Sequence, residues 1–199
     1  MARAGLTETG VIEEAERVVD EVGLSSMTLA ALAQRLKVRQ PSLYKHISGM
    51  EGVQRSIALR AKRELAAVLG QAAVGRARGD AIVSMSHAYR AWAMQHPGRY
   101  AATQRAPIVG DVEDEQASRA VVQVAFDVMA GYELRDDDAV DAIRALRSAL
   151  HGFVTLEAGN GFGMPVDVDR SFDRMVAGLA TALARWSEDG AAVAHPSAT

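Results

Sequence analysis

From Thr28 to Ile47 the chain carries two short helical patterns around a tight turn, and few folds accommodate that arrangement. Leu29, Leu32, Ala33 and Leu36 recur at i, i+3, i+4 and i+7, one stripe of an α-helix, and Thr28 stands where an N-cap belongs. Beyond the turn, Val38, Leu43 and Ile47 are the only large aliphatics, so the second pattern has a narrow apolar edge. Gln40, Ser42, Tyr44, Lys45 and His46 are left to project away from it, and Pro41 sits early, where its fixed φ helps start a helix. Such polar side chains hydrogen-bond to phosphates and base edges. An αα-hairpin with a solvated second helix has the same local pattern, so the rest of the chain has to discriminate.

Charge is the first discriminator. The 199 residues carry a net charge of −3, but the halves differ in sign: up to Arg63 there are 10 Lys/Arg against 7 Asp/Glu, and from Glu64 onward 12 against 18. Arg35 to Arg63 alone holds eight basic residues against Glu51, net +7 in 29 residues. A basic stretch beginning at a helix-turn-helix pattern is the electrostatic footprint expected for binding phosphate; a solvated basic face would read the same way.

Hydrophobic periodicity extends helix across the whole chain, with no convincing period-2 alternation. Val11, Ile12, Ala15, Val18, Val19 and Val22 stripe a first helix that Gly23 should end. Ser25, Ser26 and Thr28 supply turn and capping groups, and Thr28 suits a cap or a phosphate contact equally. Ser48 to Glu51 reads as a capping box opening a fourth helix that runs to about Leu69. The segment Gly70 to Gly79 reads as a boundary. A further helix should stop at His96-Pro97-Gly98, followed by a short piece from Arg99 to about Gln104 and three long amphipathic patterns: Asp114 to Tyr132, Asp137 to Ala158, and Asp169 to Trp186. The expectation is an all-α chain of about nine helices: a helix-turn-helix domain with its linking fourth helix over 1–69, a second helical domain over 79–187, and a disordered tail over 188–199. The last two helices have small residues on long apolar faces (Ala142, Ala145, Ala149, Gly152, Ala177, Gly178, Ala180, Ala184), which predicts a four-helix bundle across a two-fold axis; burial within one subunit is the alternative.

Leu29-Ala30-Ala31-Leu32-Ala33-Gln34-Arg35-Leu36, then Val38, then Gln40-Pro41-Ser42-Leu43-Tyr44-Lys45-His46-Ile47, inside four N-terminal helices, resembles the TetR/AcrR family of transcriptional repressors. His96-Pro97-Gly98-Arg99-Tyr100 with Leu150-His151-Gly152-Phe153 is similar to a C-terminal domain of that family named for Trp, His and Gly. The resemblance implies a homodimer on a palindromic double-stranded DNA operator, with a pocket for a small-molecule effector in each second domain. It implies DNA contacts at Thr28, Gln40, Ser42, Tyr44, Lys45 and His46. Lys37, Arg39 and Pro41 complete the expected interface. Gln40 and Lys45 suit adenine and guanine edges in the major groove; Thr28, Tyr44 and His46 suit phosphates. Two positions depart from the family pattern: Lys37 stands where glycine is usual in the turn, and Met50 where a basic residue often opens the fourth helix.

For the effector, Trp92, Tyr100, Phe126 and Met129 are material for an apolar pocket, and Ser148, His151 and Thr155 its polar groups. Together with Arg144 these last three form a polar stripe that faces solvent, the partner or a cavity. Other classes find little support. There is no cysteine, hence no thiol nucleophile or thiolate metal site. No HExxH pairing places two histidines on a metal, no Ser-His-Asp set follows from spacing, and Gly159-Asn160-Gly161-Phe162-Gly163 follows a helix and lacks a third spaced glycine. The chain therefore reads as a non-enzymatic, cytoplasmic regulator without catalytic residues, cofactor, metal or membrane span. A degenerate helix-turn-helix protein acting through protein contacts remains the alternative.

Overall fold

The computed structural model describes residues 6–186. These residues form nine α-helices and no strand: α1 (Glu8–Val22), α2 (Leu29–Arg35), α3 (Gln40–Leu43), α4 (Gly49–Ala73), α5 (Arg78–Gln95), α6 (Pro97–Thr103), α7 (Val112–Ala130), α8 (Asp136–Ala158) and α9 (Val168–Leu183). The all-α expectation holds. The tail expected to be disordered lies outside the described residues, as do residues 1–5.

Helix ends follow the local chemistry. The Thr7 hydroxyl accepts from the Gly10 N–H at 3.1 Å and starts α1. Gly23, at φ +86°, ends that helix and returns its N–H to the Val19 carbonyl at 2.9 Å. Pro97 opens α6 directly after α5, because the residue before a proline resists the helical conformation. The boundary expected over Gly70 to Gly79 is shorter. Helix α4 continues through Gly70 to Ala73, since one glycine among alanines costs a helix only about 1 kcal/mol, and the break falls at Val74–Ala77.

The described residues divide into two compact units, each discontinuous in sequence: residues 6–65 with 92–120, and residues 66–91 with 121–186. The first unit is built on Val11, Ile12, Val19, Leu32, Leu43, Val53 and Ile57, with Leu36, Val38, Ile47 and Met50 packed around them. Leu32 and Leu43 have no exposed surface, so truncating either to alanine is expected to cost about 2–5 kcal/mol. Helix α6 joins this unit by lying against α1. Gly98 makes that approach possible: a Cβ there would stand 2.0 Å from the Val19 carbonyl oxygen. Next to it Arg99 donates to Asp20 from its backbone N–H (2.8 Å) and its Nε (2.7 Å), and to Glu64 from Nη1 (2.8 Å).

Ile82, Met85, Tyr89, Val128, Met129, Leu146, Leu150, Phe153, Phe172 and Val176 are the main buried apolar side chains of the second unit. Its α5 starts at Arg78, whose Nε donates to the Gly131 carbonyl at 3.0 Å and fastens the turn after α7. No helix among the described residues is long and apolar enough to cross a membrane.

Candidate nucleic-acid interface

The candidate reading head, the part that would face DNA, is made by α2, its turn and α3. The Thr28 hydroxyl accepts from the Ala31 N–H at 3.1 Å, so it caps α2. Its own proton remains available, because a hydroxyl donates as well as accepts. At the other end the Val38 N–H reaches the Ala33 carbonyl (3.0 Å) and the Lys37 N–H reaches Gln34 (3.1 Å). That pair of bonds is a Schellman motif, and it requires the left-handed conformation at Lys37, which adopts φ +56°. The departure from glycine in the turn therefore carries a backbone cost.

Arg39, in extended conformation, precedes α3, and Pro41 lies in its first turn. Leu43 is buried and anchors the short helix, while the Leu43 carbonyl receives the N–H groups of His46 (2.8 Å) and Ile47 (3.1 Å). With that side buried, Thr28, Lys37, Arg39, Gln40, Pro41, Tyr44 and Lys45 are exposed, and Ser42 and His46 are half-buried. The structure thus gathers the nine residues read from the sequence on the exposed part of one small motif.

The electrostatics are narrower than the sequence count. Arg35 is held by Glu14 (2.9 Å) and Glu21 (2.7 Å), Arg60 by Glu16 (2.7 Å), and Lys62 by Asp114 (2.6 Å). Arg55 forks onto Asp111, with Nη2 at 2.7 Å from Oδ1, and touches Glu113 at 2.9 Å; Arg63 lies 3.7 Å from Glu113. Lys37, Arg39 and Lys45 have no such partner among the described residues. Five of the eight cations in the basic stretch are compensated within the first unit, and the three that are not all lie on the reading head.

The Arg55 fork holds the Asp111 carboxyl down to about 2, against an opposing contribution from desolvation. Asp114 is fully buried; desolvation pushes its carboxyl up, but the Lys62 ammonium, the Ile108 N–H and Arg105 together hold it below the ordinary value. Sequence reasoning did not find these acidic partners, since they lie some fifty residues away and nothing local marks them.

A groove of about 380 Å³ adjoins the head, lined by Tyr44, Lys45, His46, Ser48, Arg55 and Ser56, with Glu8 of α1 on one wall. It extends the exposed polar surface from the end of α3 to the first turns of α4. Ser48, Arg55 and Ser56 were not among the DNA contacts expected from the sequence.

The residues expected to line an effector pocket are divided. Trp92 and Tyr100 belong to the first unit, where both are buried and the Trp92 indole N–H donates to Glu64 at 3.2 Å. Phe126, Met129, Ser148, His151 and Thr155 belong to the second. There Met129 is fully buried, Phe126 and His151 are half-buried, and Ser148 and Thr155 are exposed. Ser148 and Thr155 share the outer side of α8 with Arg144, which pairs with Asp141 at 3.3 Å. No group of three or more metal-ligating side chains occurs among the described residues.

Residues 82–179 match the family model described as the tetracyclin repressor-like C-terminal domain. The chain is 37% identical over 188 residues to the uncharacterized HTH-type transcriptional regulator Rv0681 of Mycobacterium tuberculosis, covering 94% of this chain and 86% of that protein. It is 33% identical over 168 residues to the uncharacterized HTH-type transcriptional regulator YobS of Bacillus subtilis, covering 83% and 86%. Among solved structures, a TetR variant from Acinetobacter baumannii AYE in complex with minocycline superimposes with a TM-score of 0.68 at 20% identity, over 91% of this chain and 98% of that one. The relatives are transcriptional regulators, not enzymes. With a helix-turn-helix head on nine helices and relatives of this kind over nearly its whole length, the chain belongs to the TetR family of transcriptional regulators.

Proposed function

We propose that the protein is a cytoplasmic repressor that binds a palindromic operator as a homodimer and is released by a small apolar effector. The observation that carries the DNA-binding part is the coincidence of Lys37, Arg39 and Lys45, the uncompensated cations of the basic stretch, with exposed Gln40, Tyr44 and Pro41 on one motif. Gln40 at the start of α3 and Lys45 beyond its end read bases; Thr28, Lys37, Arg39, Ser42, Tyr44 and His46 fix register on the backbone. Residues 1–69 act as the DNA-binding domain and 79–187 as the domain for effector and partner.

The homodimer reading is supported by the outer faces of α8 and α9. Nothing lies within 4 Å of where a Cβ would stand at Gly152 or Gly178, and Ala177 is exposed beside the latter. Small residues in open space let a second helix pair approach closely. The exposure of Ser148 and Thr155 on the same side favours the partner over a cavity for that polar stripe. Phe126 and Met129 remain the proposed apolar contacts of an effector. A neighbouring structure of this fold is in complex with minocycline, which supports an effector of the small-molecule class. Such an effector acts by linkage, favouring a dimer whose heads no longer match half-sites roughly 34–36 Å apart.

Selection of bound sequences from a random DNA pool by the purified protein tests this reading. Recovery of a palindrome supports it. Absence of any enrichment at low salt overturns it in favour of a protein acting through protein contacts. Three free cations on each of two heads predict a slope of log K against log[salt] of about −5.

A further inference from the structure

We propose that Arg90 is a positioning residue of the dimer face: it sets α8 against α9, and a second copy fits that face only while it does so. The inference rests on reading the outer side of these two helices as the homodimer interface.

Arg90 lies on α5 with 14% of its side chain exposed. Its Nε donates to Glu157 near the end of α8 at 2.7 Å, and its Nη2 lies 2.7 Å from Asp169 in the first turn of α9. The guanidinium also stacks on both helices: its carbon is 4.8 Å from the ring centre of Phe172 on α9 and 5.6 Å from that of Phe153 on α8. Those two rings meet edge to face with centroids 5.0 Å apart. One planar cation thus contacts each helix twice, once through charge and once through a ring: its fork closes on both oxygens of Glu157, and the Nη2 of that fork also reaches Asp169.

The connection between the helices supplies one tie to α8, the Phe162 ring against Phe153 with centroids 4.8 Å apart. Residues 159–167 are exposed throughout, including Met164 and Val166. Asp169 is itself 80% exposed, so burial does not draw it to its position; the guanidinium does. His87, one turn earlier on α5, repeats the tie more weakly, with Nε2 at 3.2 Å from Asp173 and its ring against Phe172. On the far side of the same helices stand Gly152 and Gly178. Packing at small residues depends on close approach, so a change of a few degrees between α8 and α9 opens gaps along the seam.

The test is sedimentation equilibrium on the full chain, wild type against Arg90→Met, Arg90→Lys and Asp169→Asn, with far-UV circular dichroism on each. The expected result is a dimer dissociation constant raised about tenfold or more in Arg90→Met with helix content retained. Arg90→Lys falls between, because an ammonium is a compact point charge and cannot reproduce the planar fork onto Glu157. Asp169→Asn removes only the exposed α9 tie; it decides the matter if Arg90→Met does not fold, and should weaken the dimer about threefold. Variants that keep their helix content and dimerise as tightly as the wild type overturn the proposal. A wild-type chain that stays monomeric overturns the interface reading, and this inference with it.

Discussion

Residues 35–45 and 55–63 carry the same number of basic side chains, four each, and fold to opposite electrostatic ends. In the first stretch only Arg35 is compensated, and Lys37, Arg39 and Lys45 stand exposed on the reading head. In the second, Arg55, Arg60, Lys62 and Arg63 all face carboxylates, most of them from the start of α7. The positive charge of α4 is thus mainly a means of holding helices together, and that around the turn and α3 has no ion-pair partner among the described residues. Since a phosphate site has to exchange counterions for contacts, only uncompensated cations count toward it.

Four experiments would break or sharpen that contrast. The largest effect is expected for Asp114→Ala, which leaves the buried Lys62 ammonium with the Ser118 hydroxyl as its remaining close partner. Unfolding in urea should show a loss of about 3–5 kcal/mol, and a loss below about 1 kcal/mol would mean that the pair does not hold α7 to α4. Next, Lys45→Ala should cost operator affinity about 1–3 kcal/mol and relax preference at one base position. Arg63→Ala is its control: operator affinity and salt slope should stay unchanged in a fluorescence-anisotropy titration, and a slope shallower by about 2 would show that Arg63 touches phosphate.

Lys37→Gly separates backbone from charge within a single residue. Relief of the left-handed strain should raise stability by about 1 kcal/mol, while loss of the cation lowers operator affinity and makes the salt slope shallower. A variant that binds DNA as well as the wild type would remove Lys37 from the interface. The smallest effect concerns pH. The Asp111 carboxyl is held down to about 2 from 3.8, so its tie to Arg55 stabilises the fold above pH 3.8 and is lost as pH falls through about 2. Thermal unfolding of Asp111→Asn against wild type should therefore differ by a constant amount from pH 5 to 7 and converge at the acid end; a difference appearing only above pH 5 would contradict the assignment.

What could be read in advance divides along the same line. The stripe Leu29, Leu32, Ala33, Leu36 and the exposed set around Gln40 and Lys45 were legible because a helix repeats every 3.6 residues, so which residues share a face follows from spacing alone. Lys37 stood out through the family resemblance, since glycine is usual in that turn, and the structure gives the physical reason, a left-handed residue at φ +56°. That Trp92 and Tyr100 belong to a different compact unit from Phe126 and Met129 was not legible, because aromatic residues in sequence order carry no information about which unit buries them. The outward direction of Ser148 and Thr155 was left open because an amphipathic pattern marks an apolar face without saying whether a neighbour within the subunit or beyond it covers the rest.

By itself, then, the sequence determined the helical class, the number of helices and their approximate ends, since caps, turns and periodicity act within a few residues of one another. The tertiary structure decided which cations are free. Glu14 and Glu21 reach Arg35, Asp111 reaches Arg55, and Asp114 reaches Lys62 across 14 to 56 positions of chain. Coulomb energy depends on distance in space and on burial, so a net charge summed along a sequence has no access to it.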